Sequence, residues 1–284
     1  MKYAFFGTPR FASILLKRLI GAGLGPKLLV CNPDRPAGRG RIITPPPTKI
    51  IAERNNIRVL QPEKLVASEI RKELEPLDFA VVAAYSKIIR DDVLALPKKG
   101  FFGIHPSLLP KYRGASPIQS VILAGEKKTG VTIYKIDTFV DHGPILLTNN
   151  LELTTNETYE TLEEKLAELG AKMLIELMLK ITEGKVTLTE QNHAEATMTK
   201  KFETKDGFVD LEKDDVEMIV GKVRALNPDP GVWTNITPNN HFLIRANKKV
   251  VGKRVKILDA KIEEGELKLK VIQVEGEKPK AVKI

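Results

Sequence analysis

The sequence predicts an α/β chain: a doubly wound, mostly parallel sheet followed by a small β-barrel. Three observations carry this. Short apolar runs alternate with helical patterns over the first two thirds of the 284 residues. One of those runs, 78–84, is apolar on both faces, as a central parallel strand must be. The last third instead holds short β-rich segments divided by glycine and charged turns.

In order, residues 3–6 form the first strand and 11–20 a helix with leucines at helical spacing. Residues 27–31 give the second strand and 48–54 a short helix; 78–84, 101–105 and 131–136 extend the sheet. Across 158–180 and just beyond, Leu162, Leu166, Leu169, Met173, Leu177 and Ile181 recur at intervals of three and four. That spacing is an amphipathic helix laid on the sheet, ended by Gly184. Residues 198–207 are polar, mostly charged and without pattern, so they are expected to be a linker. A helix over 216–226 is stopped by Asn227-Pro228-Asp229-Pro230-Gly231, and strands are expected at 241–246, 255–260 and 267–274. The expected division is a catalytic domain over 1–197, a linker over 198–206 and a barrel domain over 207–284.

Composition narrows the class. The apolar and charged fractions are those of an ordinary globular chain, and no apolar run approaches the ~20 residues that cross a bilayer. The first seven residues are too soon broken by glycine for a signal peptide and read as a buried strand. A lone Cys31 excludes an intramolecular disulfide and suits a reducing, cytoplasmic setting, where it fills core space. The net charge of +9 attracts phosphate, although charge alone does not name a partner.

The first strand runs into Gly7-Thr8-Pro9 and not a Gly-x-Gly-x-x-Gly turn, and no Gly-x-x-x-x-Gly-Lys loop occurs. This argues against a dinucleotide cofactor and against an NTPase. Ligands of open α/β sheets bind beyond the carboxyl ends of the strands, which directs attention there. The run after one strand end is His105-Pro106-Ser107-Leu108-Leu109-Pro110-Lys111-Tyr112-Arg113-Gly114; the run after another is Asp137-Thr138-Phe139-Val140-Asp141-His142-Gly143-Pro144. Each sets ionisable side chains among loop formers, so an imidazole and a carboxylate can meet over one crevice and move protons near neutral pH. Histidines are few and scattered, so no metal is expected.

These loops resemble those of the folate-dependent formyltransferase family, whose signature is Asn-x-His-x-Ser-Leu-Leu-Pro with a later Asp-x-Gly. By that resemblance the catalytic histidine falls on His105 and the catalytic aspartate on Asp141. The folate-contacting segment falls on Ser107, Leu108, Leu109 and Pro110, with the strand end at Lys87 and Ile88 beside it. The resemblance implies 10-formyltetrahydrofolate as co-substrate, a Rossmann-like catalytic domain and a carboxy-terminal oligonucleotide-fold barrel. In one respect the chain departs from the family: its asparagine, which donates to the formyl oxygen, falls on Gly103. Losing one such donor typically costs about 2.7–4 kcal/mol of transition-state stabilisation. A water in the vacated space, His105 itself or His142 could supply it; otherwise the protein is a slow enzyme or a non-catalytic RNA-binding relative.

A second constellation, 32–41 running into 44–49, is a proline-stiffened loop with glycines around Arg35, Arg39 and Arg41. Arginine forks suit phosphate. The run resembles the loop found in the branch of the family that formylates methionyl-tRNA, and Arg39 matches its tRNA-recognising arginine. Gln61-Pro62-Glu63-Lys64-Leu65 matches that branch too. Within the barrel, Lys248, Lys249, Lys253, Arg254 and Lys256 form the densest basic run and are expected to hold the tRNA. Gly7-Thr8-Pro9 matches the family's first turn, although Arg10 stands where an acidic residue is usual. The resemblance thus implies initiator methionyl-tRNA as partner and a monomer as the working form. The alternatives are a relative acting on an amino sugar nucleotide and one that hydrolyses formyl-folate; neither accounts for the arginine loop.

Overall fold

The computed structural model describes residues 1–38, 40–236 and 252–282. From the amino terminus run β1 (Tyr3–Gly7), α1 (Arg10–Gly21), β2 (Leu28–Val30), the short strands β3 (Arg35–Ala37) and β4 (Ile42–Thr44), α2 (Pro47–Arg54) and β5 (Arg58–Leu60). Next come α3 (Ala67–Leu74), β6 (Phe79–Ala83), α4 (Asp91–Leu94), β7 (Phe101–His105), β8 (Arg113–Gly114), α5 (Pro117–Leu123), β9 (Lys128–Lys135) and β10 (Ile145–Glu152). The remainder is α6 (Tyr159–Glu183), β11 (Met198–Thr199), α7 (Val216–Leu226), β12 (Val232–Asn235), β13 (Arg254–Glu263), β14 (Glu266–Val274) and β15 (Lys280–Ala281). Among the described residues no helix is long and apolar enough to cross a membrane.

Contacts divide the chain into two units, one of Met1–Gly114, Lys128–Glu152 and Glu163–Met198, the other of Ala115–Lys127, Leu153–Leu162 and Thr199–Ile284. The second therefore takes in two stretches that lie within the span expected to form the catalytic domain.

The first unit is built on a sheet of order β10-β9-β7-β6-β1-β2-β5. β1 is central and pairs in parallel with β2 on one side and β6 on the other. The chain winds outward both ways from it, giving the doubly wound topology, and β9 and β10 close one edge antiparallel. Every residue of β1 is buried, which is why its sequence is a continuous apolar run. Ala4 and Phe6 face a cluster with Ile70 and Leu74 of α3 and Val93 of α4. On the other face α6 comes close to the strands at Gly170, where an added Cβ would lie 3.1 Å from Ile104 and 3.4 Å from Leu15 and Val131. Gly184 ends α6 with φ +71° and its N–H donates to the Ile181 carbonyl, the stop its position in the sequence implies.

Arg10 joins α1 to α6: Nη1 reaches Glu163 and Nη2 reaches Glu164, both at 2.8 Å. Glu163 is 3% exposed and Arg10 46%. Removing one partner of a fully buried pair costs about 3–5 kcal/mol, but solvent reaches this arginine and screens the pair. Arg10→Ala is therefore expected to cost roughly 1–2 kcal/mol, read as a lower urea midpoint at unchanged m-value.

In the second unit β12, β13, β14 and β15 form an antiparallel sheet. α7 begins where the Asp215 side chain accepts from the Met218 N–H at 3.2 Å. It buries Ile219, Val220, Val223 and Leu226. The barrel expected of this segment is thus an antiparallel sheet in the described residues, and the strand expected over 241–246 lies outside them. The stretch expected to be a linker carries local structure. It contains β11 and a 3₁₀ turn, Thr204–Gly207, closed by a capping box in which the Glu203 N–H donates to Asp206 at 2.8 Å.

Candidate active site

β7 and β9 place the site. Their antiparallel register sets His105 opposite Thr132 and Gly103 opposite Tyr134. His105 closes β7 at its carboxyl end, the position the strand-end argument singles out. Its Nε2 donates to the Tyr112 carbonyl at 2.8 Å, and its Nδ1 faces Asp141 Oδ2 at 3.5 Å. That second distance exceeds a direct hydrogen bond. Both ring nitrogens thus face acceptors. The two side chains retain 7% and 16% of their exposure, a narrow opening rather than a sealed core.

Asp141 comes from the connection between β9 and β10, where its φ of +47° lies in the left-handed region that aspartate tolerates. Its carboxylate is held at both oxygens. The Gly114 N–H donates to Oδ2 at 2.7 Å, and the Tyr134 hydroxyl donates to Oδ1 at 2.6 Å. Behind it, Gln191 donates through Nε2 to the backbone carbonyls of Asp141 (3.0 Å) and Gly143 (2.7 Å). Its Oε1 accepts from Arg113 Nε and Nη2 at 3.2 and 2.6 Å. Nη2 also reaches His193 Nδ1 at 2.9 Å. The His193 ring stacks on His142, centroids 4.0 Å apart, and His142 in turn bonds Asp137 at 2.7 Å. The structure brings together His105 and Asp141, the two residues singled out from the strand ends, and surrounds them with Tyr134, Gln191 and Arg113, which the sequence did not single out.

The loop after His105 is fastened to the sheet. The Ser107 hydroxyl donates to the Lys111 carbonyl at 2.7 Å, and the Thr132 hydroxyl bridges the Ser107 carbonyl (2.8 Å) and the Leu109 N–H (3.1 Å). Ser107 is wholly buried, so its hydroxyl shapes the loop, while Leu108 and Pro110 stay half-exposed. At the ends of β2 and β6, Asn32 Nδ2 donates to Ser86 Oγ at 3.0 Å, and the Lys87 ammonium donates to the Pro62 carbonyl. Ile88 stands 83% exposed beside them. Among the described residues, Asn32 Oδ1 and the Tyr85 hydroxyl are buried without a partner. Burial pushes the thiol of Cys31, next in line, up to about 11.

The arginine loop is clamped at its base, where Lys49 Nζ pairs with Asp34 at 2.8 Å and Gln61 Nε2 donates to Asp34 Oδ1 at 2.7 Å. Arg35 and Arg41 are exposed on it, Arg35 meeting Glu63 at 2.8 Å. Arg39, Lys248 and Lys249 lie outside the described residues. In the second unit the Arg254 guanidinium lies 3.9 Å over the Trp233 ring, and Lys253 and Lys256 are exposed.

Comparisons with known proteins place the chain among relatives of known name. Residues 1–178 match the family described as formyl transferase, and 201–282 match the formyl transferase C-terminal domain. A methionyl-tRNA formyltransferase of Thermotoga maritima is 44% identical over 234 residues, 81% of this chain and 74% of the relative. One from Caldicellulosiruptor saccharolyticus is 36% identical over 293 residues, 97% of this chain and 93% of the relative. Among solved structures, a methionyl-tRNA formyltransferase from Clostridium thermocellum shares the fold with a TM-score of 0.62 at 15% identity, covering 96% of this chain and 99% of that one. An N-formyltransferase from Helicobacter canadensis, solved with folinic acid and dTDP-3-aminofucose, shares it with a TM-score of 0.63 at 18% identity over the whole of both chains.

Proposed function

The chain belongs to the formyl transferase family, and on that premise we propose that it moves the formyl group of 10-formyltetrahydrofolate onto the α-amine of methionyl-initiator tRNA. The observation that carries the chemistry is the approach of His105 to Asp141, from separate elements, beside a loop fastened in shape. The tRNA side rests on the relatives named above and on the arginine-bearing hairpin.

The folate supplies an activated formyl carbon. An α-amine titrates near ~8 and is a nucleophile once deprotonated. A carbon–nitrogen bond forms to the amine, the bond to the folate nitrogen breaks, and the proton lost by the first nitrogen ends on the second. For His105 to serve both needs of that exchange, its Nε2–H would leave the Tyr112 carbonyl for the formyl oxygen when substrate binds, stabilising the developing oxyanion and passing the proton there. Asp141 holds the ring and balances its charge. Leu108 and Pro110, with the strand end at Lys87 and Ile88, form the wall against which the folate lies. Arg35, Arg39 and Arg41, with the basic run of the second unit, bind tRNA phosphates.

The test is an end-point assay. The purified chain, 10-formyltetrahydrofolate and charged initiator tRNA should yield formyl-methionine, whereas formate released without tRNA would mark a hydrolase and binding without turnover a non-catalytic relative. In the same assay Arg39→Ala is expected to weaken tRNA binding. The slope of log affinity against log salt should become shallower by about 1, as for one lost phosphate contact.

A further inference from the structure

We propose that Tyr134 is a positioning residue of this site, acting through Asp141 and occupying the place of the side chain that Gly103 lacks. The proposal rests on the reading of His105 and Asp141 as the catalytic pair.

Gly103 and Tyr134 are direct cross-strand partners on β7 and β9. A Cβ added at Gly103 would sit 2.3 Å from Tyr134 Cε1, 2.5 Å from Cζ and 2.8 Å from the hydroxyl oxygen. Real carbon atoms do not approach that closely, so no side chain can stand at 103 while this ring keeps its place. The small residue and the large one are two halves of a single arrangement. The space beside β7 that the sequence left open to a water is filled by the phenol. His142, another group that could have reached into it, is bound to Asp137 and stacked on His193.

The phenol is not mere filling. It is 6% exposed and its hydroxyl ends 2.6 Å from Asp141 Oδ1. A donor at that distance from a carboxylate is a charge-assisted bond, about twice as strong as a neutral one. Asp141, Asp137 and Arg113 are the charged groups that act on the ring. Burial first, and then the charge of Asp141, push the phenol well above its ordinary range, so it remains a donor throughout the working range of pH. A hydroxyl has one hydrogen to give. Because that hydrogen goes to Asp141, Tyr134 works through the carboxylate and not on the formyl oxygen. With Gly114 holding Oδ2 and Tyr134 holding Oδ1, the carboxylate cannot swing away from His105.

Tyr134→Phe keeps the ring and removes only the donor. Its kcat should fall roughly 10–100-fold, as expected for losing a hydrogen bond to a charged group, with KM for both substrates near wild type. The acid limb of the kcat–pH profile should move toward neutral, because the charged carboxyl has lost a donor; a purely structural role would leave that profile in place. Gly103→Ala reads the same contact from the other strand. It should lower kcat to a similar degree by displacing the ring, and combining it with Tyr134→Phe should not multiply the two losses. His105→Ala serves as the control. Wild-type kcat and pH profile in Tyr134→Phe, or wild-type kcat in a folded Gly103→Ala, beside an inactive His105→Ala, would overturn the proposal and leave the catalytic pair standing. An active His105→Ala would remove the pair and the proposal with it.

Discussion

His105→Ala is expected to lower kcat by about 10²–10⁴-fold while tRNA affinity stays at its wild-type value. The imidazole lies at the carboxyl end of β7, 3.5 Å from Asp141, and is remote in sequence from the arginine hairpin that should bear on the tRNA phosphates. Chemistry and tRNA binding should therefore separate. Saturating single-turnover measurements would report the loss in kcat, and a filter-binding titration at fixed salt would report affinity. Asp141→Asn should fall in the same direction by a smaller factor. An amide still offers an acceptor to the Gly114 N–H, but its uncharged oxygen balances an imidazolium poorly. A His105→Ala protein that formylates within a factor of a few of wild type would rule out the assigned role.

The pair was legible because it obeys a positional rule: polar, titratable residues at the ends of strands that are otherwise apolar. Its supports were not. Tyr134 sits inside the buried stretch of β9 and reads there as another core residue. Its role depends on facing a glycine across the sheet, and register between strands is not written in either strand alone. Gln191 stands 50 positions beyond Asp141 in a stretch with no periodic signal, yet it fastens the loop from behind. β10 also escaped notice, since an edge strand with Thr148, Asn149 and Asn150 exposed lacks the alternation that marks a half-buried one. The charged stretch 198–207 reads as a linker because its local structure comes from side-chain caps rather than from apolar spacing. Periodicity, by contrast, placed α1, α6 and α7 to within a few residues, since each buries a stripe of leucine, isoleucine or valine.

Gly143→Ala carries the other large expected effect, and it tests whether backbone placement of Asp141, apart from any change in the side chains proposed to carry the reaction, sets the rate. A Cβ at 143 would lie 1.9 Å from the Lys135 carbonyl oxygen and 3.1 Å from its carbon, so backbone and not a movable side chain stands in the way. The Gly143 carbonyl is also one of the two that Gln191 holds, and the other belongs to Asp141. Shifting residue 143 to relieve the contact must drag the connection that bears the carboxylate. Overpacking of this kind costs typically about 1–3 kcal/mol, and a displacement near 1 Å at a reacting group can cost about 10²-fold in rate. The variant should accordingly keep its fold at 25 °C with a lowered Tm and lose kcat by about two orders of magnitude, with His105, Asp141 and Tyr134 all intact. The decisive comparison is with Gly125→Ala, at a glycine whose φ is +63° but whose added Cβ meets nothing within 4 Å. That change strains the backbone without crowding a neighbour, so it should cost stability and spare kcat. If the two substitutions lowered kcat equally at matched stability, loss of activity would track general weakening of the fold, and the placement of Asp141 by Gly143 and Gln191 would not be what sets the rate.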